Sequence, residues 1–227
     1  MPHLLSVNIG APLVSEHTWA GRTGIDKRPQ EGPVQLRAPG AKHVDGIGSG
    51  LVGDFVGDRK NHGGDEQAVY AFTREDLDDW EQRLGRHLPN GTFGENFTTT
   101  GLQVNDALIG ERWEVGDDGV ELVVTCPRIP CRTFRGWMGE KGWLPTFTRV
   151  ARPGAYLAIV RPGTVRAGDE VRVTRRPDHD VTVTTMFRAL TTDKDLLPGL
   201  LAAEEFLPQE TLEQIARREN YAADVAR

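Results

Sequence analysis

Glycine and proline recur so often through the first three quarters of the chain that few segments run long enough for an uninterrupted helix. Between these breaks lie short runs rich in Val, Ile, Leu and Thr: His3 to Ile9, Val34 to Arg37, Gln67 to Phe72, Ala107 to Val115, Val120 to Thr125, Ala155 to Val160 and Glu170 to Thr174. Such runs suit the pleated, half-buried surface of a sheet. Seven or more strands predict a closed β-barrel, because closure removes the exposed edges that so many strands would otherwise have to protect. One helix interrupts them. Thr73 can cap its first turn, Asp76 falls at the third helical position, Leu77, Trp80 and Leu84 share a face, and Gly85 ends it. After Pro177 the texture becomes rich in Leu, Ala and Glu. Asp178 to Thr184 reads as a last extended segment, and three short helices follow, around Phe187 and Leu190, Leu196 to Leu201, and Leu212 to Ala216 behind Pro208. The expected organisation is a mainly β domain with a few peripheral helices over residues 1–176, and a small three-helix extension over 177–227.

Composition narrows the class. A chain of 227 residues, 38% hydrophobic and 26% charged, is ample for a buried core, and it contains no apolar run near the roughly 18 residues that cross a bilayer. The start, MPHLLSVNIGAP, lacks the basic lead-in and cleavage pattern of a secretory signal and reads as mature sequence. Two cysteines, Cys126 and Cys131, cannot make a disulfide framework, so a reducing cytoplasm is the expected compartment. The net charge of −6 is unevenly spread: residues 127–176 carry 11 Lys and Arg against 3 Asp and Glu, while both flanks are acidic. A basic block between acidic flanks suits a pocket for a small anion better than a nucleic-acid footprint, and the aromatic residues are not interleaved with the basic ones as stacking platforms for a nucleic acid would require.

Three constellations carry chemistry. Arg59-Lys60-Asn61-His62-Gly63-Gly64-Asp65 precedes a strand, so a glycine loop delivers a cation and an imidazole to the strand mouth, with backbone N–H groups free to approach an anion. The plainer alternative is a tight turn with a hydrogen-bonding histidine. Gly91-Thr92-Phe93-Gly94-Glu95-Asn96-Phe97 sets a carboxylate beside a carboxamide, suited to a heterocycle edge with Phe93 or Phe97 against its face, or else to satisfying the backbone of its own turn. Cys126-Pro127-Arg128-Ile129-Pro130-Cys131-Arg132 stiffens the chain beside a thiol, and its arginines would lower the pKa of Cys131, making it a nucleophile or a soft-metal ligand. A buried, inert cysteine is the alternative, and it suits Cys126 well. Structural zinc is disfavoured for want of a second Cys pair, and a Cys131–His62 hydrolase lacks a recognisable nucleophile context.

In order, Lys60-x-His62-Gly63-Gly64-Asp65-x-Gln67-Ala68-Val69-Tyr70, then Phe93-Gly94-Glu95-Asn96, then Pro127-Arg128-x-Pro130-Cys131 resemble the MOSC domain family. Arg152 to Gly163 and Gly168-Asp169-Glu170-Val171 resemble its closing part, and the tail is similar to the three-helix extension of its hydroxylaminopurine-resistance branch. The resemblance implies a β-barrel that holds the molybdenum cofactor (molybdopterin), with Cys131 as the protein ligand to the metal. It also implies a reductase that converts N-hydroxylated compounds, such as hydroxylaminopurine-type bases and hydroxylamines, to amines. The metal supplies most of such chemistry. On that basis Lys60, His62, Gly63 and Arg128 would face the cofactor, Glu95 and Asn96 would hold the pterin or orient the ligand loop, and Cys131 and His62 would form the catalytic pair. Arg132, Arg149 and Arg152 are reserve cations. Cys126 departs from the family pattern, which leaves an internal disulfide or a second soft ligand open. The chain shows no flavin or nicotinamide fingerprint, so the electrons would come from a separate donor protein. The expected partners are that donor and a small-molecule substrate, with no membrane and no nucleic-acid polymer, and with a homodimer left open. The competing class is a carrier of the cofactor or of sulfane sulfur on Cys131.

Overall fold

The structure, a computed structural model, describes residues 1–42 and 48–225. Twelve strands run in chain order as β1 (His3–Gly10), β2 (Leu13–Val14), β3 (Arg22–Thr23), β4 (Lys27–Pro29), β5 (Val34–Leu36), β6 (Val69–Thr73), β7 (Phe97–Thr100), β8 (Arg112–Val115), β9 (Val120–Pro127), β10 (Ala155–Arg161), β11 (Gly163–Val165) and β12 (Val171–Arg175). Eight of them form one sheet in the order β12-β8-β9-β10-β6-β7-β1-β4, while β11 pairs with β5 and β2 with β3. Every neighbouring pair in the large sheet is antiparallel except β6 with β7.

The closed barrel expected from strand count is corrected here. The sheet is not closed by a continuous ladder: β12 and β4 end it, and between β1 and the chain entering β12 there is only a single bridge, His3 to Glu170, with flanking backbone bonds such as Leu4 N–H to Asp169 O at 2.9 Å. The strand expected over Ala107–Val115 begins only at Arg112, because Val104–Asp106 forms a 3₁₀ turn and Leu108–Gly110 are drawn toward the C-terminal segment: Ile109 N–H bonds Val181 O and Leu108 bridges Thr182. The extended segment expected over Asp178–Thr184 is reduced to that bridge, since Thr182 caps a helix by accepting from the Thr185 N–H.

Among the described residues the α-helices are α1 (Arg74–Leu84), α2 (Arg132–Met138), α3 (Trp143–Val150), α4 (Val183–Thr191), α5 (Gln209–Arg217) and α6 (Ala222–Val225), and Lys194–Phe206 forms 3₁₀ turns broken by a kink at Ala203. Helix α1 is capped as its sequence predicts: the Thr73 hydroxyl accepts from the Asp76 N–H, Leu77 and Trp80 are buried, and Gly85 closes the helix in the left-handed conformation. Among the described residues, no helix is long and apolar enough to cross a membrane.

Two apolar clusters fill the interior. One lies under the sheet and runs without a break into Val183, Met186, Leu190, Leu197 and Leu200 of the C-terminal segment. The other is aromatic and joins Trp80 of α1, Phe93, Phe134 of α2, and Trp143 and Phe147 of α3, with ring centroids 4.8–6.1 Å apart in mostly tilted and edge-to-face pairs. The basic segment that begins at Arg128 supplies much of this aromatic cluster, and the Arg128 side chain lies against it.

Candidate active site around Cys131

Strand β9 carries the chain out of the core at Pro127, and α2 begins immediately after Cys131, so the segment between them is fixed at both ends. Arg128 turns inward and is only 5% exposed. Its guanidinium lies 3.4 Å from the centroid of Phe134 and within 6 Å of Tyr70 and Phe147. Ring faces satisfy part of a buried cation, but its Nη1 has no hydrogen-bond partner. A buried, unpartnered guanidinium nitrogen is costly unless an anion completes it.

Cys131 and His62 line the same two hollows and interact electrostatically. Burial opposes ionisation of the thiol, but its interactions with His62 and Arg128 outweigh it and bring Cys131 down to about 6. Burial likewise opposes a charged His62, yet its interaction with Cys131 raises it. The pair therefore favours a thiolate facing an imidazolium. Cys126 has the opposite fate: burial pushes it up to about 12, its sulfur accepts from the Thr125 hydroxyl, and both cysteines are free.

His62 is held by its loop. Its N–H bonds Asp58 O at 3.0 Å, and Gly63 N–H bonds the Gln67 side chain at 3.2 Å. Gly63 has φ 81°, and a Cβ there would lie 2.2 Å from the carbonyl oxygen of Gly48, so only glycine lets the loop pack this closely.

Two hollows share Cys131 as a lining residue. The larger, of about 660 Å³, is lined by Lys60 and His62, by Cys131 and Arg132, and by Trp19 and Tyr156. Its far wall comes from the C-terminal segment, where Glu210 pairs with Lys42 at 3.3 Å and accepts from the Tyr221 hydroxyl at 2.7 Å. The smaller, of about 110 Å³, reaches Lys27 and Arg128 beneath the same thiol.

The structure thus brings Lys60, His62, Arg128 and Cys131 together, with Lys60 exposed at the rim and Gly63 just behind His62. Glu95 and Asn96 line neither hollow. The Glu95 carboxylate is fully buried and accepts from Gly91 N–H, Phe93 N–H and the Thr98 hydroxyl; burial nonetheless raises its pKa. The turn it braces supports α2, because Thr92 O accepts from the Trp137 indole at 2.7 Å and Phe93 packs on Phe134. The Asn96 carboxamide bonds Tyr70 N–H, Asn8 O and Asp54, and Asp54 in turn holds Lys27 at 2.5 Å. Phe97 lies in the main core. Arg149 and Arg152 face a separate hollow, where Arg152 pairs with Asp76 and Asp79. Sequence reasoning missed Lys27 and Asp54, which carry no motif, and the Trp19 loop, Lys42, Glu210 and Tyr221, which only folding brings to the cavity.

Because Glu95 satisfies two buried backbone donors at once, Glu95→Ala is expected to cost roughly 2–5 kcal/mol, read as a lower midpoint in urea unfolding.

Comparison with known proteins agrees with this geometry. Residues 58–172 match the MOSC domain family. The protein YflK of Bacillus subtilis is 30% identical over 181 residues, which cover 79% of this chain and 76% of YflK. A protein named Reductase from Gibberella moniliformis is 28% identical over 161 residues; that match takes in 68% of this chain but only 26% of the longer fungal protein. In structure, YiiM from Geobacillus stearothermophilus superposes with a TM-score of 0.76 at 22% identity, covering 96% of this chain and 99% of that one. The motif residues around Cys131, the matched span and the shared architecture together place this chain in the MOSC domain family, with the fold of its YiiM-like members.

Proposed function

We propose that the chain is a molybdenum-cofactor-dependent reductase of N-hydroxylated compounds, using Cys131 as the protein ligand to the metal. The observation that carries this reading is the placement of the Cys131 sulfur on the wall of two hollows, beside His62 and with the buried Arg128 lining the smaller of them. The residues fit an anionic pterin cofactor. The larger hollow falls within the roughly 300–1,000 Å³ of small-molecule sites, the unpartnered Nη1 of Arg128 calls for an anion, and a thiolate is the soft donor that such a metal takes.

When bound, the cofactor would supply the two-electron chemistry by which R–NHOH, two electrons and two protons give R–NH₂ and water. The chain's own residues do the rest. Arg128 provides buried positive charge beneath the thiolate, Lys27 stands nearby with its charge balanced by Asp54, and Lys60 adds a cation at the rim. His62 fixes the ionised sulfur and keeps a proton beside it. Glu95 and Asn96 act on the site at one remove, through the turn under α2 and through Asp54. The name of the fungal relative supports the redox class. Electrons would arrive from a separate donor protein.

Protein purified from a cofactor-competent host should contain close to one molybdenum per chain by elemental analysis and should reduce 6-N-hydroxylaminopurine with a chemical or protein electron donor. Protein free of molybdenum, carrying a trapped persulfide on Cys131 instead, would replace this reading with that of a sulfur carrier.

A further inference from the structure

Trp19 is 86% exposed, the most exposed aromatic side chain in a molecule that otherwise buries its tryptophans: Trp80, Trp113 and Trp143 are each 1% exposed, and Trp137 donates to a backbone carbonyl. A single exposed indole is ordinary in itself, so the position of Trp19 is what counts. It also lines the larger hollow with Cys131. The loop between β2 and β3 that carries it is anchored to α2, the helix that starts at the thiol. Arg132 donates to Glu16 O at 3.0 Å, and the Thr133 hydroxyl donates to His17 O at 3.2 Å. The His17 ring lies so close to Gly136 that a Cβ there would come within 2.0 Å of it. The loop is therefore docked, and its one large side chain is left at the cavity edge. Arg132 sits on one side of the indole, 4.4 Å from the ring centroid, in a cation–π contact that leaves the ring largely exposed.

We infer that Trp19 is a stacking platform for a planar nitrogen heterocycle and so the specificity-determining residue that favours aromatic over aliphatic N-hydroxylated substrates. The inference deepens the function proposed above and rests on it for the reaction, but not for the binding. The lining is mixed, with Lys60, Asn61 and Arg132 beside Ile129, Pro130 and Tyr156, so what separates a flat ring from an aliphatic hydroxylamine is the free indole face, on which only the ring can stack. Stacking of a base on an aromatic side chain is typically worth about tenfold in affinity.

The test uses the protein as purified from a cofactor-competent host, with adenine as an unreactive planar probe in equilibrium dialysis. Trp19→Ala should weaken adenine binding about tenfold and Trp19→Phe should stay near the native value. In turnover, Trp19→Ala should raise KM for 6-N-hydroxylaminopurine while kcat/KM for N-methylhydroxylamine stays within about twofold. Equal adenine affinity in the native protein and Trp19→Ala, or no adenine binding by the native protein, overturns the inference. Failure of the redox reading shows differently, as missing molybdenum and missing turnover with both substrates, and it leaves the dialysis result readable.

Discussion

Replacing Cys131 by serine is expected to remove molybdenum and N–O reduction together while the protein stays folded. The thiol is about nine-tenths ionised at pH 7 for a pKa of about 6, whereas an alcohol in its place remains protonated and is a poor donor to a soft metal. Loss of a direct ligand should lower metal retention by more than the roughly 10–100-fold typical of a supporting residue, and turnover with it. Stability should change little, because the side chain sits half-buried at a cavity and its removal leaves the aromatic cluster of Phe134 and Phe147 intact. Elemental analysis, turnover and a urea melt on the same preparation check all three. Native molybdenum content in Cys131→Ser would show that the metal is held elsewhere.

The second large effect concerns His62. In the metal-free protein the rate of Cys131 alkylation by iodoacetamide should follow the thiolate fraction and rise through an apparent pKa of about 6. The sign follows from the partners. Burial acts to keep the thiol neutral, and His62 with Arg128 reverses that. Without the imidazolium, burial gains ground. His62→Ala should therefore move the midpoint upward by at least about one unit, so that at pH 6.5 the reactive fraction drops from roughly three-quarters to about a quarter or less. The two groups titrate as a pair, so the native profile belongs to both. Cys126 should stay unlabelled at neutral pH in either protein, since its thiol is buried and pushed up to about 12. An unshifted midpoint in His62→Ala would assign the thiolate to Arg128 and the Phe134 N–H instead.

Much of the fold was legible because strands and capped helices write themselves locally. Val120 to Thr125 and Ala155 to Val160 are strands, and α1 begins at Thr73 and ends at Gly85 as its sequence demands. Helices α2 and α3 were not legible. Gly136, Gly139, Gly142 and Pro145 look like breakers, yet Gly136 accommodates the His17 ring, Gly139 closes α2, and Pro145 falls in the first turn of α3, where no helical N–H is lost. Local signals were overruled there by packing against the aromatic cluster.

The same division holds at the site. The order of motifs in the sequence singled out Lys60, His62, Gly63, Glu95, Asn96, Arg128 and Cys131 as candidates, and the excess of positive charge over residues 127–176 pointed to an anion as the expected ligand. Tertiary structure alone decided their surroundings. It turned Arg128 inward onto Phe134 with one nitrogen unpartnered, kept Glu95 and Asn96 inside the frame, and drew Lys27, Trp19 and Glu210 to one cavity from distant parts of the chain. Residue type and spacing fix what a side chain can do chemically. Its ionisation and its neighbours depend on burial and on contacts across the chain, and those exist only once the chain has folded.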